Sequence, residues 1–145
     1  MKIWESVAVN YSSVKTNLHE ITDHLIKTLL PSATRNNNLI VNDISPGFVI
    51  TRDERTIASV ISGVIFSVIN NARDSCIHVS AKKIYEKMMV ITVKDSNSYN
   101  TYGIACSLQD VLPVAQEIGG DIDISNEHEN ITSIVFSFPI PEYRE

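Results

Sequence analysis

The feature that most constrains the fold is a segment, residues 60–69, that is apolar almost all round. Its sequence is Val-Ile-Ser-Gly-Val-Ile-Phe-Ser-Val-Ile, and on a helix it leaves no polar stripe to face water. Thr51 and Glu54 have the spacing of an N-terminal capping box, so we expect a helix over about 53–73. The segment is shorter than the 18 or so apolar residues that a membrane span needs. The helix must therefore be buried on most of its surface, beside a sheet.

The whole chain has the size and composition of one domain, covering 1–145. Its 145 residues can bury a single core, and 43% of them are apolar and 20% charged. The formal net charge is −5 and no Lys/Arg block stands out, which argues against nucleic acid as a partner. No stretch has the length of a membrane span, and the N-terminus does not resemble a signal peptide. We therefore expect a cytoplasmic chain without direct membrane contact.

The cysteines and histidines show no pattern of a reactive or metal site. Cys76 and Cys106 form no C-x-x-C pair, and no His lies at metal-ligand spacing from either. His24, His78 and His128 form no recognisable triad. We expect two buried, reduced thiols, with a disulfide as the alternative that the sequence leaves open.

Before the buried helix, the pattern predicts a strand, a helix and two short strands. An edge strand over 3–9 precedes an amphipathic helix over about 13–30, whose apolar residues step by three or four. Ser12 and Ser13 offer its N-cap, and it ends near Pro31. The two short strands that follow are 39–41 and 48–50.

After the buried helix, two hairpins flank a third helix. Residues 94–106 are polar and without periodicity, which predicts a loop. The apolar residues of 108–118 predict a helix that ends at Gly119-Gly120, with Pro113 either in its first turn or at a kink. The strand pairs of the hairpins are 77–81 with 88–93, and 122–124 with 134–138.

This order, β-α-β-β-α-β-β-α-β-β, combines mostly antiparallel strand pairs with helices between them. It predicts an α/β two-layer sandwich, with about three helices on one face of a mixed, mostly antiparallel sheet. The other face is either solvated or covered by a partner.

Three stretches, taken in order, carry a family resemblance. The buried helix runs into Asn70-Asn71-Ala72, a strand closes on Asp95, and a helix ending in Gly119-Gly120 precedes a last strand ending in Pro139. The first resembles the N box, and the second the approach to the G1 box, of the gyrase, heat-shock-90, histidine-kinase and mismatch-repair ATPase superfamily. The third is similar to the close of a sensor histidine-kinase ATPase domain. The resemblance implies the Bergerat ATPase fold over nearly the whole chain, with ATP and Mg²⁺ as cofactors.

The resemblance gives two residues of the buried helix a role. Asn71 matches the family Asn that ligates the magnesium ion bridging the nucleotide phosphates, and a carbonyl oxygen suits that hard cation. The alternative is a helix C-terminal Asn that satisfies backbone carbonyls. Ser67 stands where the family has Asn or Glu, and a hydroxyl cannot act as a general base near neutral pH. This substitution argues against hydrolysis and phosphoryl transfer.

The residues around the G1 box correspond to the rest of the nucleotide site. Asp95 matches the family Asp that accepts a hydrogen bond from the adenine amino group, a strand-ending turn Asp being the alternative. The glycines expected after it are replaced by Asn97, which tolerates a left-handed backbone, and by Tyr99, which adds bulk. Arg73 is a candidate for phosphate contact, with a solvated surface charge as the alternative.

The second glycine box of the family is also altered. The positions expected to be Gly hold Ala105 and Ser107, and Gly103 lies just outside that register. The family needs these glycines so that helix N-terminal amides can cradle the phosphates. Side chains at these positions obstruct that approach.

Together these residues predict the ATP-binding-type domain of a two-component sensor histidine kinase, in which nucleotide binding is weak or absent and kinase activity is left open. The implied partners are a phospho-acceptor helical hairpin outside this chain and a response regulator. The alternative is a pseudo-ATPase, a non-catalytic interaction or dimerisation module in a signalling protein.

Overall fold

From the first helix onward, the elements follow the predicted order. The computed structural model describes residues 15–50, 54–128 and 130–140. Its strands are β1 (Thr16–Asn17), β2 (Leu39–Asn42), β3 (Val49–Ile50), β4 (Cys76–Ile84), β5 (Met88–Asp95), β6 (Asp121–His128) and β7 (Ile131–Pro139). Its helices are α1 (Leu18–Arg35), α2 (Glu54–Asn70), α3 (Thr101–Leu108) and α4 (Leu112–Gln116). Within these ranges, no helix combines the length and the hydropathy that crossing a membrane requires.

Five strands form one mixed sheet in the order β2-β4-β5-β7-β6. The edge strand β2 is parallel to β4, because α2 lies in the connection between them, and the other pairs are antiparallel hairpins or neighbours. Strands β1 and β3 form a separate antiparallel pair. The predicted fold class is confirmed: a mixed, mostly antiparallel sheet with three main helices.

Helix α2 lies in the centre of the core, as its apolar sequence predicts. Its buried side chains pack with one face of the sheet, where alternate residues of β4, β5 and β7 are buried. Phe66, which is 45% exposed, is the one residue of the apolar segment 60–69 that is exposed to solvent. The buried residues of α2 are Ile57, Val60, Ile61, Val64, Ile65, Ser67, Val68 and Ile69.

Helix α1 begins and ends later than the predicted range of about 13–30. Asn17 is its N-cap and accepts a hydrogen bond from the backbone N–H of Glu20 at 3.0 Å. Pro31 lies inside the helix, so the prediction that the helix ends near it is wrong. The following turn buries Ala33 completely, and this packing offsets the hydrogen bond that proline cannot donate. The predicted strand over 3–9, the Ser12-Ser13 cap and residues 51–53 of the capping box lie outside the described residues.

Helix α3 begins inside the predicted loop over 94–106, so this prediction is wrong for residues 101–106. The helix is capped by Asn100, whose side chain accepts from the backbone N–H of Gly103 at 3.0 Å. Only Ile104 and Leu108 of this helix are buried, which leaves too few apolar positions for a visible period. The predicted third helix is reduced to α4, and Pro113 lies in its first turn, as one of the two alternatives required.

Asn38 fixes the turn between α2 and β4, where the predicted site residues Asn71 and Arg73 lie. Its Nδ2 donates to the carbonyl oxygens of Ile69 at 3.2 Å and Ala72 at 3.0 Å. Its Oδ1 accepts from the backbone N–H of Ser75 at 3.1 Å, and the side chain is buried. One side chain thus satisfies backbone groups on both sides of the turn.

Replacing Asn38 with Ala should lower the free energy of unfolding by about 2–4 kcal/mol, because buried backbone groups lose their partners. Asn37→Gly is the matched control: Asn37 is exposed and has a φ of 59°, which Gly adopts without strain. The control should change stability by less than about 1 kcal/mol. Urea unfolding followed by circular dichroism measures both, and equal losses would contradict the role given to Asn38.

Candidate functional site

The structure brings most of the predicted site residues to one end of the molecule, where α2 and β5 end. Asn71 directly follows α2, and Asp95 is the last residue of β5. The side chain of Asn97 donates to the carbonyl oxygens of Arg73 at 3.3 Å and Asp74 at 3.2 Å, which joins the loop after β5 to the turn after α2. Asp95, Asn97 and Arg73 therefore share one region, and Asn71 begins the same turn.

Asp95 is the most enclosed of these residues. It is fully buried, and its Oδ1 accepts hydrogen bonds from the Ser75 hydroxyl and from the backbone N–H of Asn97 at 3.2 Å. The Ser75 oxygen is in turn 3.2 Å from the same N–H. Its Oδ2 is buried and has no hydrogen-bond partner among the described residues. A buried carboxylate oxygen without a donor is costly, and an amino group that reached it would provide the missing bond.

A cluster of hydroxyl groups lies beside Asp95. Thr132 is paired with Asp95 across β5 and β7 and is fully buried. Its Oγ1 is 2.7 Å from the Ser98 hydroxyl and 2.9 Å from that of Thr101. These hydroxyls make the end of the sheet polar inside an otherwise apolar core.

Sequence reasoning missed Ser75, Ser98 and Thr132. Thr132 carried a usable signal, since it has the same alternation as the core-facing Ile134 and Phe136. Ser75 and Ser98 carried none, because their burial depends on loops whose course no local pattern specifies.

Asn71 lies against helix α3. Its Nδ2 donates to the Ser67 carbonyl at 2.8 Å, and its Oδ1 accepts from Asn100 Nδ2 at 3.1 Å. Gly103 packs so closely that a Cβ at this position would overlap Asn71 Oδ1. The oxygen predicted to bind magnesium is thus hydrogen-bonded to protein and covered by α3.

The remaining predicted residues lie on α2, on α3 and at exposed loop positions. The buried Ser67 hydroxyl donates to the Gly63 carbonyl of its own helix at 2.9 Å. Ala105 and Ser107 lie within α3 and after its first turn, so they are not at its N-terminal amides. The Ser107 hydroxyl is 3.5 Å from Asn71 Nδ2. Tyr99 is 62% exposed, so its ring does not add the expected bulk to the site. Arg73 is also exposed.

The two cysteines are free but are less buried than predicted. Cys76 is half-buried and Cys106 is exposed, because Cys106 lies on the solvent side of α3. The prediction of two buried thiols is therefore wrong. Cys76 Sγ lies 3.4 Å from His78 Nε2, and His78 Nδ1 lies 2.7 Å from Asp43 Oδ2, two contacts that the sequence pattern did not predict. Within the described ranges, no group of three or more His, Cys, Asp or Glu residues is arranged to hold a metal ion.

The fold is that of histidine-kinase catalytic domains. No protein-family model matches the sequence, and no curated protein does. The histidine kinase AdeS of Acinetobacter baumannii aligns over 89% of this chain and 68% of its own, with a TM-score of 0.73 and 13% identity. The nucleotide-free catalytic domain of histidine kinase ThkA aligns over 88% of this chain and 95% of its own, with a TM-score of 0.68 and 16% identity.

A third similar structure is full-length ShkA in complex with AMPPNP. It aligns over 91% of this chain and 32% of its own, with a TM-score of 0.74 and 14% identity. ThkA has also been crystallised with the response regulator protein TrrA. At these identities the likeness establishes the fold alone.

The contact between Ser75 and Asp95 should be energetically coupled. Ser75→Ala should lower the free energy of unfolding by about 2–3 kcal/mol, because a buried carboxylate loses a charge-assisted hydrogen bond. In an Asp95→Asn background the same change should cost only about 1 kcal/mol, which gives a coupling of about 1–2 kcal/mol.

Urea unfolding of the four proteins of this double-mutant cycle measures the coupling. Ser96→Ala, at an exposed neighbouring serine, is the control and should stay within about 0.5 kcal/mol of wild type. Strictly additive losses would show that Ser75 and Asp95 do not support each other.

Proposed function

We propose that this chain is the ATP-binding-type domain of a two-component sensor histidine kinase, with the adenine end of its site retained and the phosphate end closed. Nucleotide binding is then weak, and phosphoryl transfer is not supported by the chain's own residues. One observation carries the proposal: Asn71 Oδ1, the expected magnesium ligand, is bonded to Asn100 and covered by Gly103. The fold, which is that of histidine-kinase catalytic domains, supports the assignment to such a kinase.

The adenine end is supported by the surroundings of Asp95. Ser75 and Asn97 hold one carboxylate oxygen in place, and the other lacks a donor within the described part of the chain. An ionised carboxylate only accepts hydrogen bonds, so it favours a ring that presents an amino group, as adenine does. Because Oδ2 is shut off from solvent, the base must displace neighbouring groups to reach it. This cost weakens binding without changing the selectivity.

The phosphate end is supported less well by the residues present. Mg²⁺ binds oxygen ligands at about 2.1 Å in strict octahedral geometry, and the hydrogen bond from Asn100 together with the close packing of Gly103 competes with such binding at Asn71 Oδ1. Ser67 occupies the position at which the family has its catalytic base. Its hydroxyl donates a hydrogen bond to the Gly63 carbonyl of the same helix. Arg73, exposed beside Asn97, is the candidate for an outer phosphate contact.

The second candidate function is a pseudo-ATPase, a non-catalytic interaction or dimerisation module of a signalling protein. The closed phosphate end favours it as well, since nothing in this arrangement requires nucleotide. In either case we propose a phospho-acceptor helical hairpin outside this chain and a response regulator as partners, in the cytoplasm. ShkA with AMPPNP and ThkA with TrrA are the structural precedents for the ligand and for the regulator.

Calorimetry with adenosine and with ATP, each with and without Mg²⁺, separates the two candidates. We expect adenosine and Mg-ATP to bind with dissociation constants within about threefold of each other, in the range of 0.1–1 mM. Asp95→Asn should weaken both by about tenfold, because Ser75 and Asn97 hold the amide oxygen and the amide NH₂, a donor, then faces the adenine amino group. Micromolar, magnesium-dependent ATP binding would contradict the closed phosphate end. The absence of any binding would favour the pseudo-ATPase.

Releasing α3 should restore part of the phosphate site. Asn100→Ala removes both the N-cap of α3 and the bond to Asn71, so Mg-ATP should bind about three- to tenfold more tightly while adenosine affinity stays constant. Gln109→Ala, at the exposed opposite end of α3, is the matched control and should change neither affinity. An unchanged Mg-ATP affinity in Asn100→Ala would show that α3 is not the obstacle.

A further inference from the structure

A second cluster of reactive side chains lies on the sheet face that points away from the helices. Cys76 and His78 point to this face, because the alternating Ile77 and Val79 are buried in the core. Asp43 directly follows β2, the parallel neighbour of β4, and its backbone N–H donates to the Val79 carbonyl at 2.8 Å. Two paired strands thus hold three functional side chains side by side.

The geometry of the cluster is that of a triad. His78 Nδ1 lies 2.7 Å from Asp43 Oδ2, and His78 Nε2 lies 3.4 Å from Cys76 Sγ. In the tautomer with its proton on Nδ1, the ring donates to Asp43 Oδ2 and presents the Nε2 lone pair to the thiol. A thiol beside a His that is oriented by a carboxylate is the arrangement that activates cysteine nucleophiles.

The surroundings keep this cluster accessible and charged. The side chains of His78 and Asp43 are 41% and 47% exposed, and Cys76 is half-buried. Lys94 is the partner of His78 on β5 and faces the same side, with its Nζ 3.5 Å from Glu127 Oε1. A small reagent can therefore reach the sulfur from solvent, next to charged groups of both signs.

We propose that Cys76 is a nucleophilic modification site for hydrogen peroxide and small organic hydroperoxides, with His78 as its base and Asp43 as the residue that positions His78. His78 Nε2 takes the thiol proton, and the sulfur attacks the hydroxyl oxygen of the peroxide. The S–O bond forms as the O–O bond breaks, and the leaving hydroxide or alkoxide takes the proton from His78. Cys76 is oxidised to a sulfenic acid, and the peroxide is reduced to one water molecule, or to one alcohol molecule when it is an organic hydroperoxide.

A peroxide suits this cluster better than an acyl substrate does. Acyl transfer needs converging donors for an oxyanion within an enclosed site. Peroxide reduction needs an accessible nucleophilic sulfur and a proton for the leaving oxygen, and both are present on this open sheet face. The exposure of the cluster and the proton that His78 can return to the leaving oxygen therefore favour a peroxide as the substrate.

Two single-thiol proteins provide the test. Cys106→Ser leaves Cys76 as the single thiol. Cys76→Ser leaves the exposed Cys106 as the single thiol, and this second protein is the reference. At pH 7, iodoacetamide should alkylate Cys76 at least about tenfold faster than Cys106 in the folded proteins, as measured by intact mass, and the two rates should converge in denaturing urea. After treatment with hydrogen peroxide, dimedone should label the Cys106→Ser protein and not the Cys76→Ser protein.

Variants of the other two residues, made in the Cys106→Ser background, test their roles. His78→Gln should reduce the alkylation rate to about that of Cys106, and Asp43→Asn should reduce it less while moving its pH profile upward. Circular dichroism checks that each variant is folded. If His78→Gln does not fold, the alkylation rate of Asp43→Asn alone tests the triad. A Cys76 rate equal to that of Cys106, or rates unaffected by both changes, would overturn the triad. Fast alkylation without dimedone labelling would overturn the peroxide assignment.

Discussion

The burial of helix α2 is the constraint on which the rest of the structure depends. A helix that is apolar almost all round must be covered on most sides, and here the sheet, α1, α3 and α4 provide the cover. The cover is close: a Cβ at Gly63 would lie 2.9 Å from Val111 Cγ2, in the turn between α3 and α4. The position of α3 over Asn71 is therefore a consequence of core packing as well as of the Asn100 hydrogen bond.

The packing of α2 also sets the energy needed to open the phosphate end that we propose to be closed. Ile104, Leu108 and Val111 are buried against the core, so moving α3 away from Asn71 exposes apolar surface. Full exposure of one such side chain costs about 1.5–3 kcal/mol, so a complete opening costs several kcal/mol. A nucleotide would have to supply this energy from its own contacts. A small tilt that keeps Ile104 and Leu108 buried costs less, because less apolar surface is exposed.

The elements with a strong local period were predictable from the sequence, and those positioned by distant contacts were not. The alternation in β4, β5 and β7 and the apolar run of α2 placed the core correctly. Helix α1 continues past Pro31 because Ala33 packs in the core, and α3 forms in a polar stretch because Asn100 caps it. No local pattern reports either contact.

The same distinction holds for the candidate sites. Asn71 and Asp95 were found through a resemblance that rests on order and spacing, whereas the partners that define their surroundings, Asn100 and Ser75, were not. The cluster of Cys76, His78 and Asp43 depends on the parallel pairing of β2 with β4, which joins residues more than thirty positions apart. Because side chains alternate along a strand, two clusters can lie at the start of the same strand, β4. Ser75 points to the buried Asp95, and the next residue, Cys76, points to the open face of the sheet. Because the Ser75 carbonyl bonds to the N–H of Leu39 and the Cys76 carbonyl to that of Ser96, any displacement of this backbone also displaces the start of β2 and the end of β5.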